Sequence, residues 1–490
     1  MSLFRKTARD ISIVGGSHLV MWIATFVFTV AQARYLGPIH FGELSLALSY
    51  TALFTMVVDF GLSMQLSRLV AQGTEELGAA VGATCVLRVA LWLLTLPLAW
   101  LSTTLLGYGP DLQQAIFVLA LSVLLGGMAS TMAAILQGRE EFSLLSVGAV
   151  SYRVAAAIVG VVVLLANPQI GAIAWAFVAA AAVNVAVLLV GMRRGPPVPV
   201  RIDLRTTARI LRGGVPLGLY WIVATFYFNV DMVLLQRLAA PENVGWYAAA
   251  YRLFSTTGVV PGIVTVLVLF PMFSRLSVTS RDELRRVIGK AFAFLAPAGC
   301  LVAVVMVVLA DGIVTFVYPA QSYAPAATAL RFLAPAVLLV YVNSVFAYSL
   351  FALREERRLL GLAALAAVLN PLANLVAIPL LQEDGAALVT SLTELLLLGG
   401  LVRMMPRDLV SRASLGLAAR SLAAAAVTAV ALLPLHGLGL VLTLPLSVVT
   451  FGGAALALRV FSIGDLRALL GVVRPPAPLP VAPPMHEEVA

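Results

Sequence analysis

The amino-acid sequence predicts an all-α integral membrane protein with about fourteen transmembrane helices. Composition is the first observation behind this prediction. Of the 490 residues, 61% are hydrophobic and 11% are charged, and mean hydropathy is +1.00. Soluble globular chains carry about 25% charged residues. A single soluble core cannot bury so much apolar surface, whereas a bilayer can accommodate it.

Apolar stretches of membrane-spanning length are the second observation. Each span needs about 20 apolar residues, because the hydrocarbon core is about 30 Å thick and a helix rises about 1.5 Å per residue. The longest internal connection, residues 192–210, is rich in arginine and proline and divides the chain into halves. The pairs Gly78/Gly82 and Gly258/Gly262 predict close helix packing. Helices are predicted at 10–32, 41–62, 79–101, 113–136, 144–166, 170–191, 211–235, 244–271, 287–309, 325–350, 359–380, 385–402, 414–434 and 438–459.

The positions of the basic residues predict the orientation. With the N-terminus inside, the even-numbered connections face the cytoplasm, and about 26 of the 32 Lys and Arg residues lie on that side. Arg34 and Arg237 lie outside, and the remaining four arginines are embedded in helices. An odd number of helices would scramble this distribution, so both termini are predicted to be cytoplasmic. The net charge of +9 therefore reflects topology and does not indicate a nucleic-acid partner.

An internal repeat relates the two halves. Because the copies are separated by an even number of helices, they point the same way and are related by an axis along the membrane normal. Such parallel repeats are typical of transporters with a site between two lobes. Three matches support the repeat: Arg34–Ala47 with Arg237–Ala250 at an offset of 203 residues, Arg139–Glu141 with Arg354–Glu356 at an offset of 215, and Gly171–Ala172 with Gly385–Ala386 at an offset of 214.

This repeat predicts two six-helix lobes and two extra C-terminal helices. The N-lobe is placed at residues 1–191 and the C-lobe at 211–403, joined by a cytoplasmic linker at 192–210. Helices 13 and 14 follow at 404–460. A Pro-rich cytoplasmic tail occupies 461–490.

Three short motifs of the sequence are Ala33-Arg34-Tyr35-Leu36-Gly37-Pro38 followed by Phe41-Gly42, Asp59-Phe60-Gly61-Leu62, and Gln137-Gly138-Arg139. They resemble those of the polysaccharide/O-antigen (Wzx-like) flippases of the multidrug/oligosaccharidyl-lipid/polysaccharide exporter superfamily. The resemblance covers roughly residues 5–460. It implies a two-lobed exporter of the bacterial inner membrane that moves an undecaprenyl-diphosphate-linked oligosaccharide to the periplasmic leaflet, for O-antigen, capsule or exopolysaccharide synthesis.

Four embedded arginines are the candidate substrate-binding residues, because a diphosphate needs cationic partners and Arg presents paired donors that match phosphate oxygens. They are Arg252, Arg88, Arg153 and Arg331. The alternative is that the last three, which lie near helix ends, extend to the membrane interface. Arg252 is favoured because its repeat counterpart is Ser49, so the shared scaffold does not require a cation there.

Three embedded acids are candidates for ion coupling, since coupling to a cation gradient requires a carboxylate that changes its partner or protonation. Asp59 has a structural alternative, in which it pairs with Arg68. Asp231 lies close in sequence to Arg237, which could neutralise it. Glu394 is the most isolated acid in the sequence. The tyrosines and tryptophans of helices 7 and 8 are interpreted first as interface anchors.

Several motifs are absent, and their absence excludes function classes. The sequence has no phosphate-binding Gly-x-x-x-x-Gly-Lys-Ser/Thr loop, no His-x-x-x-His pair or Cys cluster, no Asp-x-Asp and no Gly-x-Ser-x-Gly. It therefore predicts a non-enzymatic protein without cofactor or metal. Expected partners are the lipid-linked oligosaccharide, membrane lipids, and a polymerase and glycosyltransferases of the same pathway.

Two alternative functions belong to the same superfamily: a lipid II flippase and a drug–cation antiporter. The Arg-Tyr-Leu-Gly-Pro motif followed by Phe-Gly favours polysaccharide export over both. An O-antigen polymerase or ligase is an alternative from another class. It is disfavoured because such enzymes resemble one another in carrying a large periplasmic loop, and every predicted outer loop here is short.

Overall fold

The computed structural model describes residues 3–73, 77–193, 195, 200–409, 412–434 and 439–461. Within these ranges every regular element is helical, which confirms the predicted all-α class. The helices are α1 (Leu3–Asp59), α2 (Leu62–Ala71), α3 (Leu77–Leu105), α4 (Pro110–Gly138), α5 (Phe142–Ala166), α6 (Ile170–Met192), α7 (Leu204–Leu238), α8 (Pro241–Thr257), α9 (Val259–Ile263), a π-helical turn (Val264–Leu269), α10 (Phe270–Thr279), α11 (Arg281–Val308), α12 (Ala310–Val317), α13 (Ala320–Tyr323), α14 (Ala326–Ala352), α15 (Glu356–Met404), α16 (Arg412–Leu432) and α17 (Leu440–Ala457).

Two of the long helices contain a sharp break and therefore count as two spans each. Twelve helical stretches of the described chain are long and apolar enough to cross a membrane. The first, in α1, is broken at Gly37, which has a φ of 68° and precedes Pro38. The stretch in α15 is broken at Gln382, which has a φ of 53°. With each broken stretch counted twice, the described chain has the fourteen spans that the sequence predicts.

The helices pack in two groups that follow the two halves of the sequence. In the first half, α1 packs on α5, and α6 packs on α4 and α5. In the second half, α14 lies between α11 and α15, and α15 also packs on α7. The two groups meet where α1 and α3 contact α7, and where α1 contacts α8. The extra helices α16 and α17 pack on each other and on α11. Of the predicted tail at 461–490, only residue 461 is among the described residues.

The turns that follow α4 and α14 have the same backbone geometry. After α4, the N–H of Glu141 donates to the carbonyl of Leu136 at 2.9 Å. After α14, the N–H of Glu355 donates to the carbonyl of Leu350 at 3.0 Å. The two bonds have the same spacing along the chain, and their atoms are related by an offset of 214 residues.

This geometry corrects one of the predicted alignments. The left-handed residue of the first turn is Glu140, with a φ of 59°, and that of the second is Arg354, with a φ of 62°. Arg354 is therefore the structural counterpart of Glu140, and the predicted pairing of Arg139 with Arg354 at an offset of 215 is wrong by one residue. The sequence alignment was chosen to pair the identical residues Arg-Glu-Glu in the two halves. The backbone conformation of each residue depends instead on its distance from the end of the preceding helix.

The linker between the halves is seated on α3. The N–H of Arg201 donates to the carbonyl of Gly78 at 2.9 Å, and a Cβ atom added to Gly82 would lie 2.0 Å from the carbonyl oxygen of Arg201. The Gly78/Gly82 pair was predicted to pack against another helix, but it receives the linker backbone instead. Glycine is required because the peptide chain comes closer than a side chain would permit. The linker residues 194 and 196–199 lie outside the described residues.

Helix α7 begins at Leu204, seven residues before its predicted start at 211. Asp203 explains the early start, because its carboxylate accepts hydrogen bonds from the N–H groups of Arg205 at 3.2 Å and Thr206 at 2.9 Å. Hydrogen bonds from the hydroxyl and the N–H of Thr206 lower the pKa of Asp203 below its ordinary value. The charged N-cap Asp203 therefore determines where α7, the first helix of the second half, begins.

Helix α8 is followed by an irregular stretch. The predicted packing pair Gly258/Gly262 lies here, and a Cβ atom added to Gly262 would meet no described atom within 4 Å. The pair therefore does not mark a close helix contact. The π-helical turn that follows lies between Pro261 and Pro271, and these prolines supply no N–H to the helical ladder.

Candidate functional site

A cavity of about 200 Å³ lies between the two halves of the protein. Its walls come from the second part of α1, from α7 and from α8. About half of the lining is apolar. The polar side chains are Ser45 and Ser49 of α1, Asn229 of α7, and Tyr251, Arg252 and Ser255 of α8. A cavity in which several polar groups converge among apolar ones is the usual form of a ligand site.

Arg252 is the one cation that lines this cavity. Its guanidinium makes no hydrogen bond or ion pair with the rest of the described chain. Arg153, on α5 of the first half, is close enough for its charge to repel that of Arg252. Ser49 is buried and donates its hydroxyl to the carbonyl of Ser45 at 3.1 Å, so it offers Arg252 no counter-charge. The cavity therefore carries positive charge that an anion would neutralise.

The two halves of the protein touch at both ends of the α1 segment that lines the cavity. A Cβ atom on Gly245 would lie 2.0 Å from the carbonyl oxygen of Pro38, and one on Gly42 would lie 2.7 Å from the nitrogen of Gly245. These two glycines are repeat counterparts, so the halves touch through equivalent positions. At the far end of this α1 segment, a Cβ on Gly214 would lie 2.7 Å from the carbonyl oxygen of Phe60.

Arg88 lies away from the cavity, in a polar cluster that joins α1, α2, α3 and α4. Its side chain is fully buried, and it donates to Asp59 Oδ1 at 2.6 Å, to Ser63 Oγ at 2.6 Å and to the carbonyl of Gly127. Neither of the predicted environments, a ligand cavity or the membrane interface, matches this position. Asp59 is bound as its structural alternative expected, but its partner is Arg88 and not Arg68.

We expect Asp59→Asn to destabilise the protein, because it leaves the Arg88 guanidinium buried without a counter-charge. Removing one partner of a buried pair costs about 3–5 kcal/mol, and about 2–3 kcal/mol is expected here because Asp59 is 31% exposed. Thermal unfolding of the purified protein measures this effect. Asp59→Asn combined with Arg88→Gln should recover part of the loss, and Glu43→Gln on the same helix is the control. Unchanged stability with abolished transport would contradict a structural role for the pair.

Arg331 lies at the first turns of α14, outside the cavity. Its side chain is 37% exposed and pairs with Asp311. Its Nε also donates to the carbonyl of Val307 at 3.3 Å. Arg331 therefore joins α14 to Asp311 of α12 and does not line the cavity.

Asp231 is buried in the second half, where it faces α8. Its carboxylate accepts hydrogen bonds from the hydroxyl of Tyr247 and from the N–H of Met232, the latter at 3.0 Å. The Tyr247 hydroxyl also lies 3.3 Å from Thr390 Oγ1 of α15. Within the described chain Asp231 forms no ion pair, so the expected neutralisation by Arg237 is not seen.

Glu394 is buried one helical turn beyond Thr390, and it is not isolated as the sequence suggested. Tyr227 donates its hydroxyl to Glu394 Oε1 at 3.1 Å, and Asn343 donates its amide to Oε2 at 2.8 Å. Glu394 therefore joins α15 to α7 and α14. Together, the two acids form a buried polar centre in the second half that contacts α8, the helix carrying Arg252.

Comparison with known proteins identifies the family. A family model described as polysaccharide biosynthesis protein matches residues 7–277, more than half of the chain. The chain belongs to this polysaccharide biosynthesis family. The match confirms the resemblance carried by the motifs between residues 33 and 139. No curated protein matches the chain significantly.

Solved structures of transporters share the fold of this family member. The lipid II flippase MurJ in an inward closed conformation has a TM-score of 0.71 at 13% identity, covering 93% of this chain and 99% of that chain. An inward-facing multidrug resistance MATE family transporter of the MOP superfamily has a TM-score of 0.56 at 14% identity, covering 80% and 93%. The eukaryotic MATE transporter AtDTX14 has a TM-score of 0.54 at 15% identity, covering 85% and 99%. This chain therefore shares the fold of these solved transporters.

Sequence reasoning missed the tyrosines that bind the two acids. Tyr247 has no exposed surface and Tyr227 is 7% exposed, so neither anchors the protein at the membrane interface as predicted. A buried tyrosine hydroxyl needs a partner, and a carboxylate on a neighbouring helix provides one. The signal in the sequence was the presence of embedded tyrosines in the same part of the chain as an embedded acid. Asp231 and Tyr227 share α7, and Tyr247 lies on the next helix.

Proposed function

We propose that this member of the polysaccharide biosynthesis family flips an undecaprenyl-diphosphate-linked oligosaccharide across the bacterial inner membrane by alternating access. The observation that carries the proposal is Arg252, a cation without a protein partner in a cavity between two lobes. Holding an arginine within a transmembrane helix costs about 2.5–3.5 kcal/mol on insertion scales, so an offsetting anion is expected. The diphosphate supplies one, and its oxygens match the paired donors of Arg.

Arg153 is the second proposed substrate contact, because it lies on the other lobe and adds to the positive charge near Arg252. Arg88 and Arg331 are left out of the proposed site, since each is bound to a carboxylate elsewhere. The protein acts on the lipid without chemical conversion, so no catalytic residue is proposed. A polymerase and glycosyltransferases of the same pathway are the proposed protein partners.

Asp231 and Glu394 are the proposed sites of ion coupling. Asp231 accepts a hydrogen bond from Tyr247, which lies five residues before Arg252 on α8. A proton or cation that binds the acid would weaken this contact and so alter how α8 packs. Asp59 is a poorer candidate, because its partner Arg88 is fully buried and carries a permanent charge.

Loss of the gene tests the function. Cells that lack the protein should accumulate the lipid-linked oligosaccharide and lose the surface polysaccharide, and both changes should be reversed by the plasmid-borne gene. Peptidoglycan synthesis and drug tolerance should be unchanged. Impaired peptidoglycan synthesis would instead favour a lipid II flippase, and a changed drug tolerance would favour a drug–cation antiporter.

The proposed topology places both termini in the cytoplasm. A reporter enzyme that is active only in the periplasm, fused after Ala490, should therefore be silent. The same reporter inserted at the outer break of α15, next to Gln382, should be active. A strong signal from the C-terminal fusion would contradict the topology, because it would require an odd number of spans.

A further inference from the structure

A second cavity, of about 320 Å³, lies between α11 and the segment formed by the π-helical turn and α10. We call it the α10–α11 groove. It shares no lining residue with the cavity that contains Arg252. One wall includes Leu269 and Met272, the other includes Val287, Ala291 and Phe294, and Lys290 is the only charged residue in the lining.

The groove follows from the local sequence. In the second half, the π-helical turn between Pro261 and Pro271 interrupts the span, and a π turn shifts the register of the residues that follow. The side chains of α10 and α11 then leave an apolar gap between them, one side of which is the half-exposed ring of Phe294.

Three unpaired cations stand beside this groove. Lys290 lies in its lining, Arg286 lies one turn earlier on the same face of α11, and Arg275 follows Met272 by three residues on α10. All three are exposed. None has an ion pair or a side-chain hydrogen bond within the described part of the chain, whereas the neighbouring Arg281 pairs with Asp408.

We propose that the α10–α11 groove binds an anionic phospholipid of the bilayer. One acyl chain occupies the apolar gap, and the phosphate lies among Lys290, Arg286 and Arg275. Basic pockets between transmembrane helices are a recognised form of anionic-lipid site. Charge complementarity selects the occupant: a zwitterionic lipid brings no net charge to the three cations, and an anionic one does. This site is independent of the flippase proposal.

Native mass spectrometry of the delipidated, detergent-purified protein tests the site. The protein is titrated with phosphatidylglycerol and, separately, with phosphatidylcholine. Each cation near the lipid contributes about 1 kcal/mol, so Lys290→Gln should weaken phosphatidylglycerol binding about fivefold, and Lys290→Gln with Arg286→Gln about thirtyfold. These side chains are exposed, so the variants should fold normally.

Two further variants separate the groove from general electrostatics. Arg357→Gln removes an exposed charge from the first turn of α15. Arg357 does not line the groove, so this variant should leave binding unchanged. Ala291→Leu fills the groove without changing charge and should weaken binding of phosphatidylglycerol, with thermal unfolding as the check on folding. Equal losses in the Lys290 and Arg357 variants, or unchanged binding in Ala291→Leu, would overturn the proposal. Displacement of the lipid by an equimolar amount of undecaprenyl diphosphate would assign the groove to the cargo and would also overturn it.

Discussion

Gly245→Ala is expected to lower transport at least about fivefold while leaving a folded protein in the membrane. Its Cβ would lie 2.0 Å from the carbonyl oxygen of Pro38, a distance that backbone atoms cannot accommodate without separating the lobes. Overpacking of this kind costs about 1–3 kcal/mol. The state in which the lobes touch at this end would then become about 5- to 150-fold rarer. Alternating access requires that state in every cycle.

Cysteine accessibility measures the shift. In a variant with Cys85 and Cys300 replaced by serine, Ser49→Cys places a thiol in the cavity that Arg252 also lines. A membrane-impermeant maleimide added from the periplasm should label this thiol faster when Gly245→Ala is present. Gly126→Ala is the matched control, since its Cβ would meet no described atom within 4 Å. Unchanged labelling together with normal transport would contradict the assignment of Gly245 to the contact between the lobes.

Arg252→Gln is expected to lower transport about 10- to 100-fold with normal membrane insertion. A hydrogen bond to a charged group contributes about 1.5–3 kcal/mol, and this substitution removes the charge that the diphosphate would meet. Arg252→Lys keeps the charge but loses the paired donors, so it should retain part of the activity. Complementation of polysaccharide export in a strain that lacks the gene measures both variants at matched expression.

A buried ion pair with Asp231 is the alternative account of Arg252. Under that account, Asp231→Asn would rescue Arg252→Gln, because neither charge would be left alone. The carboxylate of Asp231 is instead bound to Tyr247, so we expect no rescue. Wild-type export by the double variant would contradict the proposed contact between Arg252 and the cargo. It would show instead that Arg252 and Asp231 form a structural ion pair.

The number of spans could be predicted from the sequence because each is a local property. Twenty apolar residues bounded by charge are visible without knowledge of the partner helices. The breaks at Gly37 and Gln382 were expected as loops between separate helices. In the structure each connection is reduced to a short break around one residue with non-helical backbone angles.

The partners of the buried charges could not be predicted, because they come from helix packing. Arg88 and Asp59 are 29 residues apart, and Tyr227 and Glu394 are 167 residues apart. The hydropathy of the sequence predicts that such residues lie within the membrane, but it does not predict which face of a helix they occupy. Arg252 was singled out in the sequence because its repeat counterpart, Ser49, is neutral. The structure places both residues in the lining of one cavity.

Sidedness of a lipid-linked oligosaccharide in proteoliposomes tests the central claim most directly. Undecaprenyl-diphosphate-linked repeat units isolated from the host are incorporated in both leaflets, and a glycan-cleaving enzyme is added outside. In protein-free liposomes about half of the glycan should stay protected, because only the outer leaflet is accessible. With the wild-type protein the protected half should become accessible within minutes, and with Arg252→Gln it should do so at least about tenfold more slowly. A protected fraction that stays at one half with the wild-type protein, under an imposed H⁺ or Na⁺ gradient as well as without one, would contradict the account.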